Sequence, residues 1–172
     1  ELAHDFLWRV HQKAPAKGQI GIFNRSHYED VLITRVHQLI SAKKTKQRFN
    51  QINEFEELLS ENGTVIRKFF LHISKDEQKQ RLEERICDPE KRWKFNANDL
   101  EERKLWARYA EAFEDMLSAT STDCAPWYVI PANHKWYRNL IVAEHVVAAV
   151  ESMKLKTPPP PEGIDFDALK IE

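Results

Sequence analysis

The chain has 172 residues, enough for one domain with its own core, and 42% hydrophobic against 31% charged residues suits a soluble globular protein. No run approaches the roughly 18 apolar residues needed to span a bilayer, and no basic-then-apolar leader opens the sequence, so a cytoplasmic protein is expected. A net charge of -1 leaves any anion binding to local clusters, and Cys87 and Cys124, far apart and outside any CxxC, read as reduced thiols.

The opening segment ELAHDFLWRVHQKAP repeats Leu2, Phe6, Leu7 and Val10 at helical spacing and predicts a helix over about 2–12. It lacks an initiator Met, which suggests that sequence precedes it. Residues 19–23 read as a short buried strand. Ser26 and Glu29 have capping-box spacing and predict a helix from there to about Ile40. SAKKTKQR (41–48) reads as a basic linker. A helix carrying Ile52, Phe55, Leu58 and Leu59 should stop at Asn62-Gly63. Residues 64–73 predict a second strand. Ser74 and Glu77 form another capping box, opening a helix to about Cys87. The segment 88–99 is a charged connector. Asn98 and Glu101 should open a helix to about Ser118. WYVIP (127–131) is a third strand, followed by a helix over about 135–153. The tail, 154–172, contains four consecutive prolines and should be extended. Strands each followed by a helix predict a parallel α/β sheet flanked by helices.

Three places could carry chemistry. Arg25, Ser26 and Glu29 follow the first strand, where open α/β sheets bind ligands. A guanidinium beside a helix N-terminus suits phosphate; a cap and a surface ion pair explain the same residues equally well. Lys75, Arg81, Arg85, Lys91, Arg92, Lys94 and Arg103 lie in and around the connector. They would suit a lid over a polyanion, with Trp93 and Phe95 anchoring it or flanking a base. Interleaved Asp88, Glu90, Asp99, Glu101 and Glu102 fit a solvated charged face instead. At the third strand end, His134, Lys135 and Arg138 are cationic or nearly so, but also suit an ordinary helix start. There is no GxxxxGK[ST], no pair of His residues at zinc spacing and no GxSxG.

Four blocks, GIFNRSHYEDVL, KFFLHISKDEQKQRLEERICDPEKRWKF, ERKLWARYAEAFEDML and APWYVIPANHKWYRNL, together resemble the polyphosphate kinase type 2 family. The resemblance runs from about Asp5 to Val150 and implies a P-loop kinase-like fold with a helical lid, similar to thymidylate kinases. It implies one such domain over 1–153, with the lid at about 81–104 and residues 154–172 as a Pro-rich tail. It further implies transfer of the terminal phosphoryl of inorganic polyphosphate to a nucleoside mono- or diphosphate of AMP/ADP or GDP type, reversibly and with Mg2+. On that resemblance, strand 19–23 would be the Walker B strand and Arg25 would contact the transferred phosphate. Ser26, Lys75, Arg81, Arg85, Lys91 and Lys94 would hold phosphates, with Asn24, Glu29, Asp30 and Arg103 in support. Many family members carry Asp where this sequence has Asn24, and an amide is a poorer magnesium ligand. The family's Walker A segment, with its metal ligand, is expected upstream of Glu1. The 172 residues alone are therefore expected to be inactive, and the whole protein to form a homo-oligomer. An ATP-dependent nucleotide kinase of the thymidylate kinase type is the rival enzyme. A non-catalytic polyanion- or nucleic-acid-binding module is the rival from another class; a pI near 6.8 and the lack of a basic stripe speak against nucleic acid.

Overall fold

A computed structural model describes residues 3–163 together with 166 and 169. Seven helices and two strands follow in order: α1 Trp8–His11, α2 Glu29–Val36, α3 Ala42–Glu61, β1 Lys68–His72, α4 Lys75–Cys87, α5 Asn98–Lys104, α6 Trp106–Thr120, β2 Trp127–Pro131 and α7 Lys135–Ser152. A 3-10 turn, Arg92–Lys94, interrupts the connector between α4 and α5. The two strands pair in parallel, with Lys68 opposite Trp127 and His72 opposite Pro131. The β1–helix–β2 crossover makes the architecture α/β, as the alternating pattern predicts.

The sheet separates two layers. Phe70 packs on Phe113 of α6, with ring centroids 4.5 Å apart. Its neighbour Phe69 and Tyr128 of β2 meet His145 of α7 at 5.9 and 4.3 Å. This is the alternation of a strand with helices on both faces. On the α6 side the core continues between helices: Leu7, Tyr28, Val31, Phe49, Ile52, Phe55 and Met116 form one buried cluster. No described helix is long and apolar enough to cross a membrane.

Several expectations are corrected. Residues 19–23 are not a strand. Among the described residues the sheet is two-stranded, and Ile20 and Ile22 are exposed by 77% and 90%. A strand needs a ladder partner, and among the described residues none pairs with this run. The helix expected at 2–12 is one turn, α1, because Asp5 Oδ1 accepts from the Leu7 amide at 2.8 Å and starts it late. The basic run 41–48 is no linker but the start of α3. Ser41 accepts from the Lys44 amide at 3.2 Å as N-cap, and Thr45 and Phe49 are buried beneath the lysines. Helix α2 ends at Val36 rather than Ile40. Gln38 adopts a left-handed φ of 57°, and the Leu39 and Gln38 amides donate to Thr34 and Arg35 carbonyls at 2.7 and 2.9 Å. This is a Schellman stop without its usual glycine. The second strand is shorter than 64–73, since the Thr64 amide closes the α3 terminus on the Leu59 carbonyl at 3.0 Å. The helix expected over 98–118 breaks at Leu105 into α5 and α6. Neither Ser26 nor Asn98 caps a helix by its side chain. Ser74 does, accepting from the Glu77 amide at 3.1 Å. Residues 154–163 form no helix or strand, and most of the later tail lies outside the described residues.

Candidate active site

The C-terminal ends of β1 and β2 open onto a crevice of about 300 Å³ lined by His72, Ser74, Asn133, His134 and Tyr137. Its walls are tied across the sheet. The Ser74 amide donates to Asn133 Oδ1 at 3.0 Å, and the Asn133 side-chain amide donates back to Ser74 Oγ at 3.3 Å. Arg81, one face of α4 behind them, donates from Nη2 to the Ala132 and Asn133 carbonyls at 2.8 and 3.1 Å. Its Nε donates to Glu77 Oε1 at 2.7 Å. Arg81 thereby ties α4 to the segment that leaves β2.

A second groove, of about 290 Å³, lies between α4 and α5 and is lined by Gln78, Arg81, Arg85, Asp99 and Glu102. Arg85 approaches Asp99 at 3.6 Å. Arg103 of α5 donates to the Lys75 carbonyl and to Gln78 Oε1, both at 2.7 Å, so α5 lies back along the start of α4. Lys75 itself is exposed at the first turn of α4. Glu102 accepts from Tyr109 at 2.7 Å and meets His37 Nε2, beyond the end of α2, at 3.0 Å. Those hydrogen bonds, Tyr109 first and His37 second, hold the Glu102 carboxyl below its usual range. Burial and the same carboxylate push the Tyr109 phenol up.

Of the expected site residues, the structure therefore places Arg81 and Arg85 in the α4–α5 groove, with Arg85 in the last turn of α4, while Arg103 lies back against the first turn of α4, where Lys75 stands. Lys91 and Lys94 stand apart on the connector. Lys91 pairs with Asp88 at 2.9 Å, and each shifts the other toward its charged form. Lys94 Nζ sits 5.0 Å over the ring of Trp93, which is 79% exposed. Arg25 stands on the loop before α2 with its side chain 81% exposed, and its Nε reaches Glu29 Oε1 at 3.4 Å. So open an ion pair contributes little and leaves the guanidinium available. Ser26 Oγ accepts from the Tyr28 amide at 3.4 Å. The Asp30 carbonyl accepts from Arg48 at 2.6 Å. Asn24 is exposed. Among the described residues no group of three or more His, Cys, Asp or Glu could hold a metal ion.

Sequence reasoning missed one polar cluster entirely. Lys68, the first residue of β1, is 7% exposed, and its ammonium donates to Glu56 Oε2, the Tyr28 hydroxyl and the Thr120 carbonyl at 2.6, 2.7 and 2.7 Å. Three donors meet three acceptors. The Tyr28 hydroxyl donates to Glu56 Oε1 at 2.7 Å. The Tyr28 and Trp127 rings lie 5.1 and 5.2 Å from the ammonium. Burial lowers the Lys68 pKa against the pull of Glu56; burial and the Glu56 charge raise that of Tyr28. The four residues stand at 28, 56, 68 and 120, on four different segments, and share no spacing that a motif search would detect.

The family model described as Polyphosphate kinase 2 matches residues 1–158. The chain is 57% identical over 160 residues to the AMP/ADP-polyphosphate phosphotransferase of Meiothermus ruber, covering 93% of this chain and 60% of that protein. It is 46% identical over 170 residues to the ADP-polyphosphate phosphotransferase of Rhodopseudomonas palustris, covering 92% and 59%. The crystal structure of Polyphosphate Kinase 2 from Arthrobacter aurescens superposes with a TM-score of 0.94 at 46% identity, over 98% of this chain and 59% of that one. The chain thus spans about three-fifths of the length of these relatives.

Proposed function

The chain belongs to the polyphosphate kinase 2 family, and from that premise we propose that the whole protein moves the terminal phosphoryl of inorganic polyphosphate onto a nucleoside mono- or diphosphate, reversibly. The observation that carries this is the 57% identity over 160 residues to a protein named AMP/ADP-polyphosphate phosphotransferase. The disposition of cations at the C-terminal edge of the sheet supports it, since phosphoryl transfer depends on positioning and charge neutralisation more than on covalent chemistry.

In this reading a terminal phosphate oxygen of the nucleotide attacks the terminal phosphorus of the polyphosphate. One P–O bond forms, the bridging P–O bond breaks, and polyphosphate shortened by one unit leaves. The attacking oxygen needs no covalent enzyme intermediate. Arg25 meets the moving phosphoryl group, with Ser26 and Asn24 beside it and Glu29 and Asp30 behind. Lys75 and Arg85 hold neighbouring phosphates. Arg81 and Arg103 act by framing the groove, because their guanidinium groups already bind backbone carbonyls. Lys91 and Lys94 belong to a lid over about 81–104, and the sheet is read as part of a P-loop kinase-like domain. The described residues do not by themselves build a magnesium cage. Mg2+ is proposed to enter as the counterion of the phosphates, which suits an ion that keeps its waters and few protein ligands, and no step here is routed through it.

The test is a donor exchange in the full-length protein. With AMP or ADP as acceptor, polyphosphate should support nucleotide phosphorylation and ATP should not replace it. Phosphorylation of a nucleoside monophosphate from ATP alone would move the assignment to the nucleotide kinases of the thymidylate kinase type.

A further inference from the structure

Resting on that reading of Arg25, we infer that Tyr28, Glu56 and Lys68 are positioning residues, a buried device that fixes the loop presenting Arg25 to the transferred phosphoryl group. Arg25 has a φ of 69°, in the left-handed region that a residue with a side chain enters at a cost. Such a conformation persists where its surroundings hold it. The local bonds are slight. Ser26 Oγ and the Ser26 carbonyl accept from the Tyr28 and Glu29 amides at 3.4 and 3.1 Å, and the exposed pair with Glu29 is loose.

The firm attachment begins three residues after Arg25. The Tyr28 side chain is buried and its hydroxyl is fixed on Glu56 Oε1 at 2.7 Å. The preceding ring, His27, is drawn in beside it. His27 Nε2 lies 3.5 Å from the same oxygen, and the ring meets Phe55 edge-on at 5.8 Å. Neither His27 ring nitrogen has a hydrogen-bond partner among the described residues, so the loop is not held inward by bonds of its own histidine. Lys68 completes the hold, fixing both Glu56 and Tyr28 to the first residue of β1. The far end of the same strand, His72, lines the crevice. Tyr28 and Lys68 therefore set the Arg25 loop and the strand-end crevice in one frame.

Stability alone does not call for this arrangement. Apolar residues of similar volume in place of a buried ion pair are often as stable or more so. What a fully satisfied polar network adds is a single geometry, and a misplacement of about 1 Å near a reacting group can cost on the order of a hundredfold in rate.

The test is a double-mutant cycle in the full-length protein, assayed with polyphosphate and nucleotide well below each variant's unfolding midpoint. Tyr28→Phe keeps the ring and removes only the hydroxyl. It should lower kcat about tenfold while leaving both KM values within about twofold. Arg25→Ala should lower kcat about a hundredfold. The double variant should be no slower than Arg25→Ala alone, because Tyr28 acts through Arg25. The charge-free pair Lys68→Met/Glu56→Leu, carried through the same cycle, should behave likewise and serves if Tyr28→Phe yields too little folded protein. Unchanged kcat in the single variants, or losses that multiply in the double variants, would overturn the inference. If Arg25→Ala alone keeps full kcat, both the inference and the role given to Arg25 fall, whereas the donor exchange would still decide the reaction.

Discussion

Replacing Lys68 by Met should destabilise the protein more than almost any other single change outside the apolar core. The side chain is 7% exposed and gives its three protons to Glu56, Tyr28 and Thr120. Met fills most of the volume, so little cavity forms. The cost is electrostatic: the Glu56 carboxylate, 3% exposed, is left buried without its cation, and the Thr120 carbonyl loses its donor. Removing one member of such a pair typically costs about 3–5 kcal/mol. At about 2–4 °C per kcal/mol for a chain of this size, the midpoint should fall by roughly 6–20 °C. The double variant Lys68→Met/Glu56→Leu removes both charges and should recover much of that loss. Urea or thermal unfolding followed by circular dichroism measures both. A loss below about 1 kcal/mol for Lys68→Met would mean that Lys68 is not what compensates the buried Glu56 side chain, and the network would not be the rigid element described.

Three further outcomes are expected. Stability should fall as pH rises above about 10, because the folded state keeps Tyr28 and Tyr109 protonated above their unfolded pKa and that stabilisation is lost beyond it. Lys68, lowered on folding, acts in the opposite sense over its own range. Tyr109→Phe should therefore flatten the alkaline limb of a pH–stability curve, and an unchanged limb would exclude that phenol. Arg81→Ala leaves the buried Ala132 carbonyl without its donor and should cost about 1.5–3 kcal/mol; denaturant unfolding showing no change would mean that α4 is held to the end of β2 by other contacts. Lys91→Ala and Lys94→Ala should raise KM for long polyphosphate more than for short chains, with added salt weakening binding further; equal losses at all chain lengths would remove these lysines from the donor site.

Much of this fold was legible where local chemistry and long-range packing agree. Asn62-Gly63 announces the end of α3, and Gly63 indeed takes a φ of 90° with the Schellman bonds. Ser74 reads as a cap and is one. WYVIP is β2 over the same residues. The failures arise where a residue does a job usually given to another. Gln38 ends α2 in the glycine conformation. The lysines of 41–48 disguise a helix whose inward face is carried by Thr45 and Phe49. The apolar run 19–23 has strand composition, but pairing depends on a neighbour, which composition does not encode. In the candidate site, the shared face of Arg81 and Arg85 follows from helical spacing on α4, whereas the approach of Arg103 to the start of α4 depends on the fold-back of α5. The Tyr28–Glu56–Lys68 network joins three segments through tertiary contacts alone, and a lysine opening a strand reads from sequence as an edge or surface charge.

The central claim is transfer rather than hydrolysis or mere binding. The most direct test incubates the full-length protein with polyphosphate labelled with 32P at its terminal phosphates, magnesium and ADP, and separates the products. The expected result is label in the γ-phosphate of ATP, one unit lost from the polyphosphate for each ATP formed, and little label as free phosphate. Label released only as inorganic phosphate, or retained on polyphosphate bound to an inert protein, would contradict it.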